Sequence, residues 1–176
     1  MIKVVEIVRD LAGIASEQYQ ARYGGKPVQF FADRFLQIGG ELSIRGKSNI
    51  GSEQKYPAIL LFCDNLQERR ENLKQWQVEA TLHLLIVDNA AKGDNGDVQR
   101  DKVFYPILYP IYECFFDAIL NHPRIFTKGD TIRYDKFDRL LLNAIIGENQ
   151  PFADRLDGIE LKNLRLKIVE ESCFNE

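Results

Sequence analysis

The spacing of Glu160 and Lys162 is the pattern in this chain that comes nearest to reaction chemistry. Leu161 separates them in a stretch of alternating residues, and residues two apart in a strand point to the same face of a sheet. A carboxylate and an ammonium group on one face could hold a divalent metal ion and the water that it activates. Glu160 and Lys162 are therefore the candidate centre of a metal-dependent nuclease.

Such a nuclease also requires an acid at the end of an upstream strand. Four aspartates are candidates by position alone: Asp135, Asp138, Asp154 and Asp157. The Glu-x-Lys spacing is common by chance, and the dense basic surface of a nucleic-acid-binding protein is missing from a chain of net charge −3. A solvated strand face is therefore the preferred interpretation of Glu160 and Lys162.

Two other groups of acidic residues have simple structural explanations. Asp154 and Asp157 could form an acid–base pair, but Asp157 precedes Gly158 in a dipeptide that favours a turn, so we predict a turn there. Residues 88–97 contain several Asp and Asn residues, as calcium loops do, yet they lack the alternating ligand order and the closing glutamate of such loops. We predict a solvated loop over residues 88–97.

The histidines and cysteines show no metal-binding pattern. His83 and His122 are the only histidines, and neither has a partner at ligand spacing. Cys63, Cys114 and Cys173 are far apart and odd in number, which predicts free thiols in a reducing cytoplasm. The sequence contains no phosphate-binding loop and no nucleophile-elbow motif. We therefore predict no catalytic residue, no cofactor-binding residue and no metal ligand.

The composition predicts one domain over residues 1–176. Hydrophobic residues make up 45% of the chain and charged residues 28%, which is typical of a packed globular core. The first residues carry acids early, so no signal peptide is expected, and no apolar run reaches the ~20 residues of a membrane span. The scattered basic residues argue against specific nucleic-acid binding, so neither a membrane nor nucleic acid is an expected partner.

Hydrophobic periodicity predicts an α+β fold, in which two principal helices flank a mainly antiparallel sheet. The helices are expected over residues 4–20 and 111–121, and the strands over 27–31, 56–63, 75–87, 131–134 and 159–168. The strand 75–87 has one face that turns from polar to apolar, which predicts that the sheet is covered on both sides at that end. A bulge is expected at Lys162-Asn163, where the alternation breaks, and residues 32–51 are expected to form a long loop.

An apolar, aromatic run over residues 104–112 places Pro106 and Pro110 four residues apart. Because proline fixes φ and has no backbone N–H, both prolines cannot occupy the interior of one regular helix. We predict that the second helix begins at Pro110, or begins near Pro106 and bends at Pro110. Tyr105 and Tyr109 should help to fix its start. The residues expected in or near the core are Ile107, Leu108 and Ile111.

Three stretches of the sequence, taken in order, resemble a known group of proteins. The stretches are Lys-Tyr-Pro-Ala-Ile-Leu-Leu-Phe at 55–62, the Tyr-Pro run at 104–112, and residues 154–168, which begin Asp-Arg-Leu-Asp-Gly-Ile-Glu-Leu-Lys. Over about residues 1–170, their order is similar to that of small prophage-encoded proteins. Those proteins look like the tail terminator and tail-completion proteins of long-tailed bacteriophages.

This resemblance implies a non-enzymatic α+β protein that assembles as a ring on the end of a finished tail tube. The ring stops tube growth and provides the surface to which the head docks. The implied partners are the chain's own copies, the tail tube and head–tail connector proteins, in a virion component assembled in the bacterial cytoplasm. We expect the loops 32–51 and 88–97 to make these contacts. The alternatives are the nuclease centred on Glu160 and Lys162, and a small binding module of unknown partner.

Overall fold

The chain folds as an α+β protein with one mainly antiparallel sheet, as predicted. The computed structural model describes residues 3–34, 36–38, 55–70, 77–91, 94–126, 132–140 and 155–169. The two long helices among these residues are α1 (Val4–Tyr23) and α2 (Gly96–Asn121), and a short 3-10 helix spans Cys63–Asn65. The strands are β1 (Gln29–Asp33), β2 (Ala58–Phe62), β3 (Gln67–Arg69), β4 (Gln77–Asn89), β5 (Asp135–Arg139) and β6 (Leu156–Val169).

The two long strands β4 and β6 form the centre of a six-stranded sheet. The strand order is β1-β2-β4-β6-β5, and β3 pairs with β4. The strands β2 and β3 share one edge of β4, because Ala58 pairs with Val87 while Gln67 pairs with Thr81. Only β1 and β2 run parallel among the described pairs. The long β4–β6 pairing therefore places the side chains of β4, β6 and the neighbouring strand β5 side by side.

Both helices pack on one face of the sheet and form the main core with it. Helix α1 buries one stripe of apolar side chains at helical spacing, and it ends where Gly24 adopts φ 67° and donates its N–H to the carbonyl oxygen of Gln20 at 2.9 Å. The alternating residues of β4 and β6 supply the sheet side of this core. The buried strand residues are Val78, Ala80, Leu82, Leu84, Ile86, Ile159, Leu161, Leu164, Leu166 and Ile168.

The opposite face of the sheet is apolar only at one end. Leu60, Leu85, Val87 and Leu156 lie there in a second cluster, and each is at most 2% exposed. This cluster confirms the prediction that the polar-to-apolar face of the strand 75–87 is covered at its far end. The other end of the same face carries polar and charged side chains from the neighbouring strands. We call this face, opposite the helices, the outer face of the sheet. Its side chains are buried at one end of β4 and are polar or charged at the other end.

Helix α2 corrects the prediction for the two prolines. It begins at Gly96, ten residues before Pro106, and its nine-residue segment Arg100–Leu108 has the wide π-helical turn. Its Tyr109 N–H donates to the carbonyl oxygen of Phe104, five residues earlier. Pro106 lies inside this wide segment, and Pro110 is the second residue of the regular segment Tyr109–Asn121, directly after the change of helix type. A change of helix type thus accommodates both prolines without a break.

The length and apolar character of α2 were also underestimated from the sequence. At 26 residues, the helix is long and apolar enough to cross a membrane by those two measures alone. In the fold, half of its most apolar window is buried. Leu108 and Ile111 are fully buried and Ile107 packs against the core, as predicted. A helix buried in the core of a folded domain can be as long and as apolar as a membrane-spanning helix, so these two measures do not distinguish them.

Several shorter elements differ from the predictions. The strand expected over 131–134 is absent from the described residues 132–134, and β5 follows directly instead. The strand β3 lies between two predicted strands, at a place where no strand was predicted. The turn expected at Asp157-Gly158 is wrong, because both residues lie in β6. Of the expected loop 32–51, residues 32 and 33 belong to β1, and 35 and 39–51 lie outside the described residues.

Candidate functional site

Glu160 is the centre of an ionic cluster on the sheet face opposite the helices. Its Oε1 lies 2.8 Å from Nε2 of His83 and 3.3 Å from Nζ of Lys162. Its Oε2 accepts a hydrogen bond from Nε of Arg139 at 2.8 Å. The Glu160 side chain is 13% exposed, so it is largely shielded from water. Both carboxylate oxygens are therefore already engaged by the protein, and we call these four residues the Glu160 cluster.

Three neighbouring strands position the Glu160 cluster. Glu160 lies on β6 opposite Phe137 of β5, which places Arg139 within reach, and His83 comes from β4 on the other side. The register of β4 and β6 shifts between Leu82 and Leu84, and Asn163 has a φ of 55°. This bulge confirms the break that was predicted at Lys162-Asn163. It leaves Glu160 and Lys162 on the face that carries His83.

The cluster keeps Glu160 ionised far below neutral pH. Burial alone would raise the pKa of this carboxyl group. The hydrogen bonds from His83 and Arg139 and the charge of Lys162 outweigh burial and lower the pKa to about 2. A carboxylate with so low a pKa is a poor general base near pH 7. The Glu160 cluster therefore acts as a set of charged hydrogen bonds that link neighbouring strands.

Aromatic and polar neighbours surround the Glu160 cluster. The ring of Phe62 lies edge-on to His83, with 4.9 Å between the ring centroids, and Nδ2 of Asn65 lies 3.3 Å from Nδ1 of His83. The guanidinium of Arg139 stacks over the ring of Phe137 at 4.7 Å. A shallow cleft of ≈ 320 Å³ beside His83 extends towards Lys162. The imidazole is therefore held on both nitrogens and on one face.

The aspartates proposed as partners of Glu160 and Lys162 are engaged elsewhere. Asp135 accepts a hydrogen bond from Nδ2 of Asn163 at 2.7 Å. Asp138 accepts hydrogen bonds from Tyr109 and, at 2.6 Å, from Lys136. Asp157 is fully buried within β6, and the prediction for Asp154 lies outside the described residues. Within the ranges given above, no group of three His, Cys, Asp or Glu side chains is placed to hold a metal ion.

The other candidate ligands also have structural partners. Asn95 caps α2, because its Oδ1 accepts a hydrogen bond from the N–H of Val98 at 3.0 Å, and Asp94 pairs with Lys102 at 3.1 Å. Asp88 belongs to β4 and Asp97 to α2, so the loop expected over 88–97 is wrong at both ends. His122 follows α2 as expected, and its Nδ1 accepts a hydrogen bond from the Arg124 N–H at 3.2 Å.

The sequence contained a signal for part of the Glu160 cluster. His83 and Glu160 both lie on the polar side of long alternating strands, so pairing those strands with the apolar sides together would have placed both on one face. Arg139 was missed because its position depends on β5, a five-residue strand that the hydrophobic periodicity did not identify.

A comparison with protein-family models finds no match for this chain, and neither does a comparison with curated proteins. The functional interpretation therefore depends on the resemblance described above and on the contacts of the described residues.

Proposed function

We propose that this protein is a non-enzymatic structural protein of a bacteriophage, with the role of a tail terminator or tail-completion protein. In this proposal its copies assemble into a ring on the end of the tail, where they contact the tail tube and the head–tail connector. The observation that carries the proposal is the order of the three distinctive stretches, 55–62, 104–112 and 154–168. These stretches supply β2, the centre of α2 and β6, which are main parts of the core.

The Glu160 cluster supports a structural role for the outer face. Its only described carboxylate is bound by three nitrogen-bearing side chains, and its pKa of about 2 removes it from proton transfer near neutral pH. Linking β4, β5 and β6 through side chains stiffens a face whose strands otherwise meet only through backbone bonds. A rigid sheet of this kind suits a protein that works through assembly.

A metal-dependent nuclease is the second candidate, and one contact favours it. Nζ of Lys162 lies 3.3 Å from Oε1 of Glu160, as the Glu-x-Lys spacing predicted. The same contact weakens the candidate, because a divalent cation beside Glu160 would have to displace Arg139 and oppose the charge of Lys162. A small binding module without either activity is the third interpretation.

Deleting the gene from the phage or prophage that carries it tests the proposed function. We expect electron micrographs of induced lysates to contain tails of aberrant length and heads without tails. A plasmid copy of the gene should restore normal virions, which controls for effects on neighbouring genes. Normal virions from the complete deletion would overturn the proposal.

Complementation with variants of the Glu160 cluster separates the two leading candidates. Lys162→Gln removes the ammonium group that the nuclease requires, while the hydrogen bonds of Glu160 to His83 and Arg139 stay in place. A tail terminator with this substitution should still restore normal virions if the purified variant melts like the parent. Failure to complement by a well-folded Lys162→Gln variant would favour the nuclease.

A further inference from the structure

The dipeptide Asn95-Gly96 lies where α2 begins, apart from the Glu160 cluster. Of all the asparagines in the sequence, Asn95 alone is followed by glycine. Asn95 is exposed, and it caps the helix because its Oδ1 accepts a hydrogen bond from the Val98 N–H at 3.0 Å. A carboxamide followed by a residue without a side chain is the arrangement in which a backbone nitrogen most readily attacks a side-chain carbonyl carbon. The start of α2 is therefore a candidate for covalent self-modification.

The backbone nitrogen of Gly96 is the attacking atom of this reaction. Gly96 is the first residue of α2, and the first four N–H groups of a helix have no partner within it. Its N–H is therefore not held by the helix, and it can lose its proton to solvent, as the attack requires. Because glycine has no Cβ, no side chain at position 96 blocks the approach of this nitrogen to the carboxamide of Asn95.

We propose that Asn95 is a modification site that the N-cap conformation keeps unreactive until the first turn of α2 opens. In the folded backbone Asn95 has a ψ of 173°, which holds the Gly96 nitrogen gauche to Cβ of Asn95. The five-membered ring formed by the attack needs this nitrogen nearly eclipsed with Cβ. Rotation about ψ to that position breaks the hydrogen bond from Val98, because a cap forms only in the extended conformation. The cap and the reaction therefore exclude each other.

The reaction converts the asparagine to an acid with loss of ammonia. The Gly96 nitrogen forms a bond to Cγ of Asn95 while the bond from Cγ to Nδ2 breaks. The proton of the Gly96 N–H leaves with the Nδ2 amino group as ammonia. Solvent water then opens the cyclic imide at Cγ, which gives aspartate, or at the main-chain carbonyl carbon, which gives isoaspartate. One water is consumed and one ammonia is released, so the step requires only solvent.

The two products have different effects on the start of α2. Aspartate caps a helix about as well as asparagine, so this product keeps the hydrogen bond to the Val98 N–H. In isoaspartate the main chain runs through Cγ and gains a methylene group, while the remaining carboxylate is attached directly to Cα. That carboxylate is too short to reach the Val98 N–H in the same way. The isoaspartate product therefore uncaps α2, whereas the aspartate product does not.

Incubation of the full-length protein at mildly alkaline pH, followed by peptide mapping with mass spectrometry, tests this inference. We expect the peptide that contains Asn95 to gain about 1 Da, at least about tenfold more slowly in the folded protein than in urea. Asn163 is also exposed but precedes leucine, so it is the internal control and should stay unmodified. In Gly96→Ala the new Cβ lies 3.4 Å from Cδ1 of Leu140, an ordinary contact, and it should slow the reaction in urea by at least about tenfold.

Hydrogen exchange of the Val98 N–H shows whether the cap controls the reaction. The same opening frees this N–H and Asn95, so its protection against exchange should match the ratio of the modification rates in urea and in the folded protein within about threefold. Asn95→Ser keeps a capping hydroxyl without a carboxamide, and it should melt like the parent and show no mass change in this peptide. Equal rates in the folded and unfolded chain, no reaction of Asn95 in urea, earlier modification of another asparagine in the folded protein, or a larger disagreement between the two protection factors would each overturn the inference. The gene-deletion result is independent of these outcomes.

Discussion

Nε2 of His83 and Oε1 of Glu160 lie 2.8 Å apart across the two central strands of the sheet, although 77 residues separate them in sequence. Arg139 reaches the other oxygen of Glu160 from the strand on the far side. One carboxylate thus links β4, β5 and β6 at the boundary between the covered and uncovered parts of the outer face. The contact fixes the strand register through side chains as well as through the backbone.

Replacing Glu160 with glutamine should destabilise the fold. The amide keeps the shape of the side chain but loses the charge that pairs with Arg139 and Lys162, and it leaves these cations with a weaker partner. Charge-assisted hydrogen bonds of this kind contribute about 1.5–3 kcal/mol, so we expect a loss of about 2 kcal/mol in the free energy of unfolding. For a chain of this size, that corresponds to a melting temperature lower by about 4–8 °C.

Glu17→Gln is the matched control for this substitution. Glu17 is exposed on α1, so the same change of charge should alter the free energy of unfolding by less than about 0.5 kcal/mol. Urea denaturation at pH 7 compares the two variants with the parent. Equal stability of the Glu160→Gln and Glu17→Gln variants would show that the Glu160 cluster contributes nothing to the fold.

The contribution of Glu160 should depend on pH in a defined window. Its pKa is about 2 in the folded protein and 4.5 in its ordinary state, so the folded state favours the ionised form. The stabilisation is therefore fully present above pH 4.5 and is lost as the pH falls towards about 2. We expect the difference in urea midpoint between the parent and Glu160→Gln to be constant from pH 7 to 5 and to shrink below that. A difference that stays constant down to pH 3 would contradict this origin.

Tyr109 should matter for stability through its hydroxyl group and its ring. Its hydroxyl donates to Asp138, and this bond, together with partial burial, raises the pKa of Tyr109 to about 12. Its ring lies 4.8 Å from Nζ of Lys136 and packs against the core. Tyr109→Phe should cost about 1 kcal/mol and Tyr109→Ala about 3 kcal/mol in the free energy of unfolding. Tyr105, which is 57% exposed, gives the control Tyr105→Ala. Equal melting of the two alanine variants would contradict the prediction.

The sequence predicted the fold class because long periodic segments carry most of the information. The alternation in β4 and β6 and the helical spacing in α1 each extend over many residues, so these elements were identified with small errors at their ends. The polar-to-apolar change along β4 even predicted the second apolar cluster. Short elements failed, because three residues such as Gln67–Arg69 carry no period of their own. Tertiary pairing with β4 alone makes them a strand.

The candidate site was predictable only in part, and for a different reason. The shared face of Glu160 and Lys162 follows from spacing within one strand, whereas the contacts of Glu160 with His83 and Arg139 depend on the pairing of three strands. Local rules also misplaced Asp157-Gly158, where the turn preference of the dipeptide yields to pairing with β4. Likewise, the prediction for the two prolines assumed a regular α-helix. It does not apply to α2, because Pro106 lies in a segment with the wider π-helical turn.

The purified protein should show no nuclease activity and no tightly bound divalent metal. Glu160 is surrounded by His83, Arg139 and Lys162, and these cationic or donor groups oppose a second positive charge at the carboxylate. Elemental analysis and cleavage assays in Mg²⁺ and Mn²⁺ measure both properties. Cleavage that disappears in both Glu160→Ala and Lys162→Ala, with the folds of the variants intact, would replace the structural proposal with the nuclease.

The bulge at Asn163 should respond to substitution according to its backbone conformation. Asn163 has a φ of 55°, a left-handed conformation that asparagine and glycine tolerate and that costs other residues roughly 1–2 kcal/mol. Its exposed side chain donates to Asp135, and both Asn163→Ala and Asn163→Gly remove that bond. We therefore expect Asn163→Ala to be less stable than Asn163→Gly by about 1 kcal/mol in urea denaturation. If Asn163→Ala were instead the more stable variant, the backbone of β6 would not need the left-handed conformation at position 163. The bulge would then no longer explain why Lys162 lies beside Glu160.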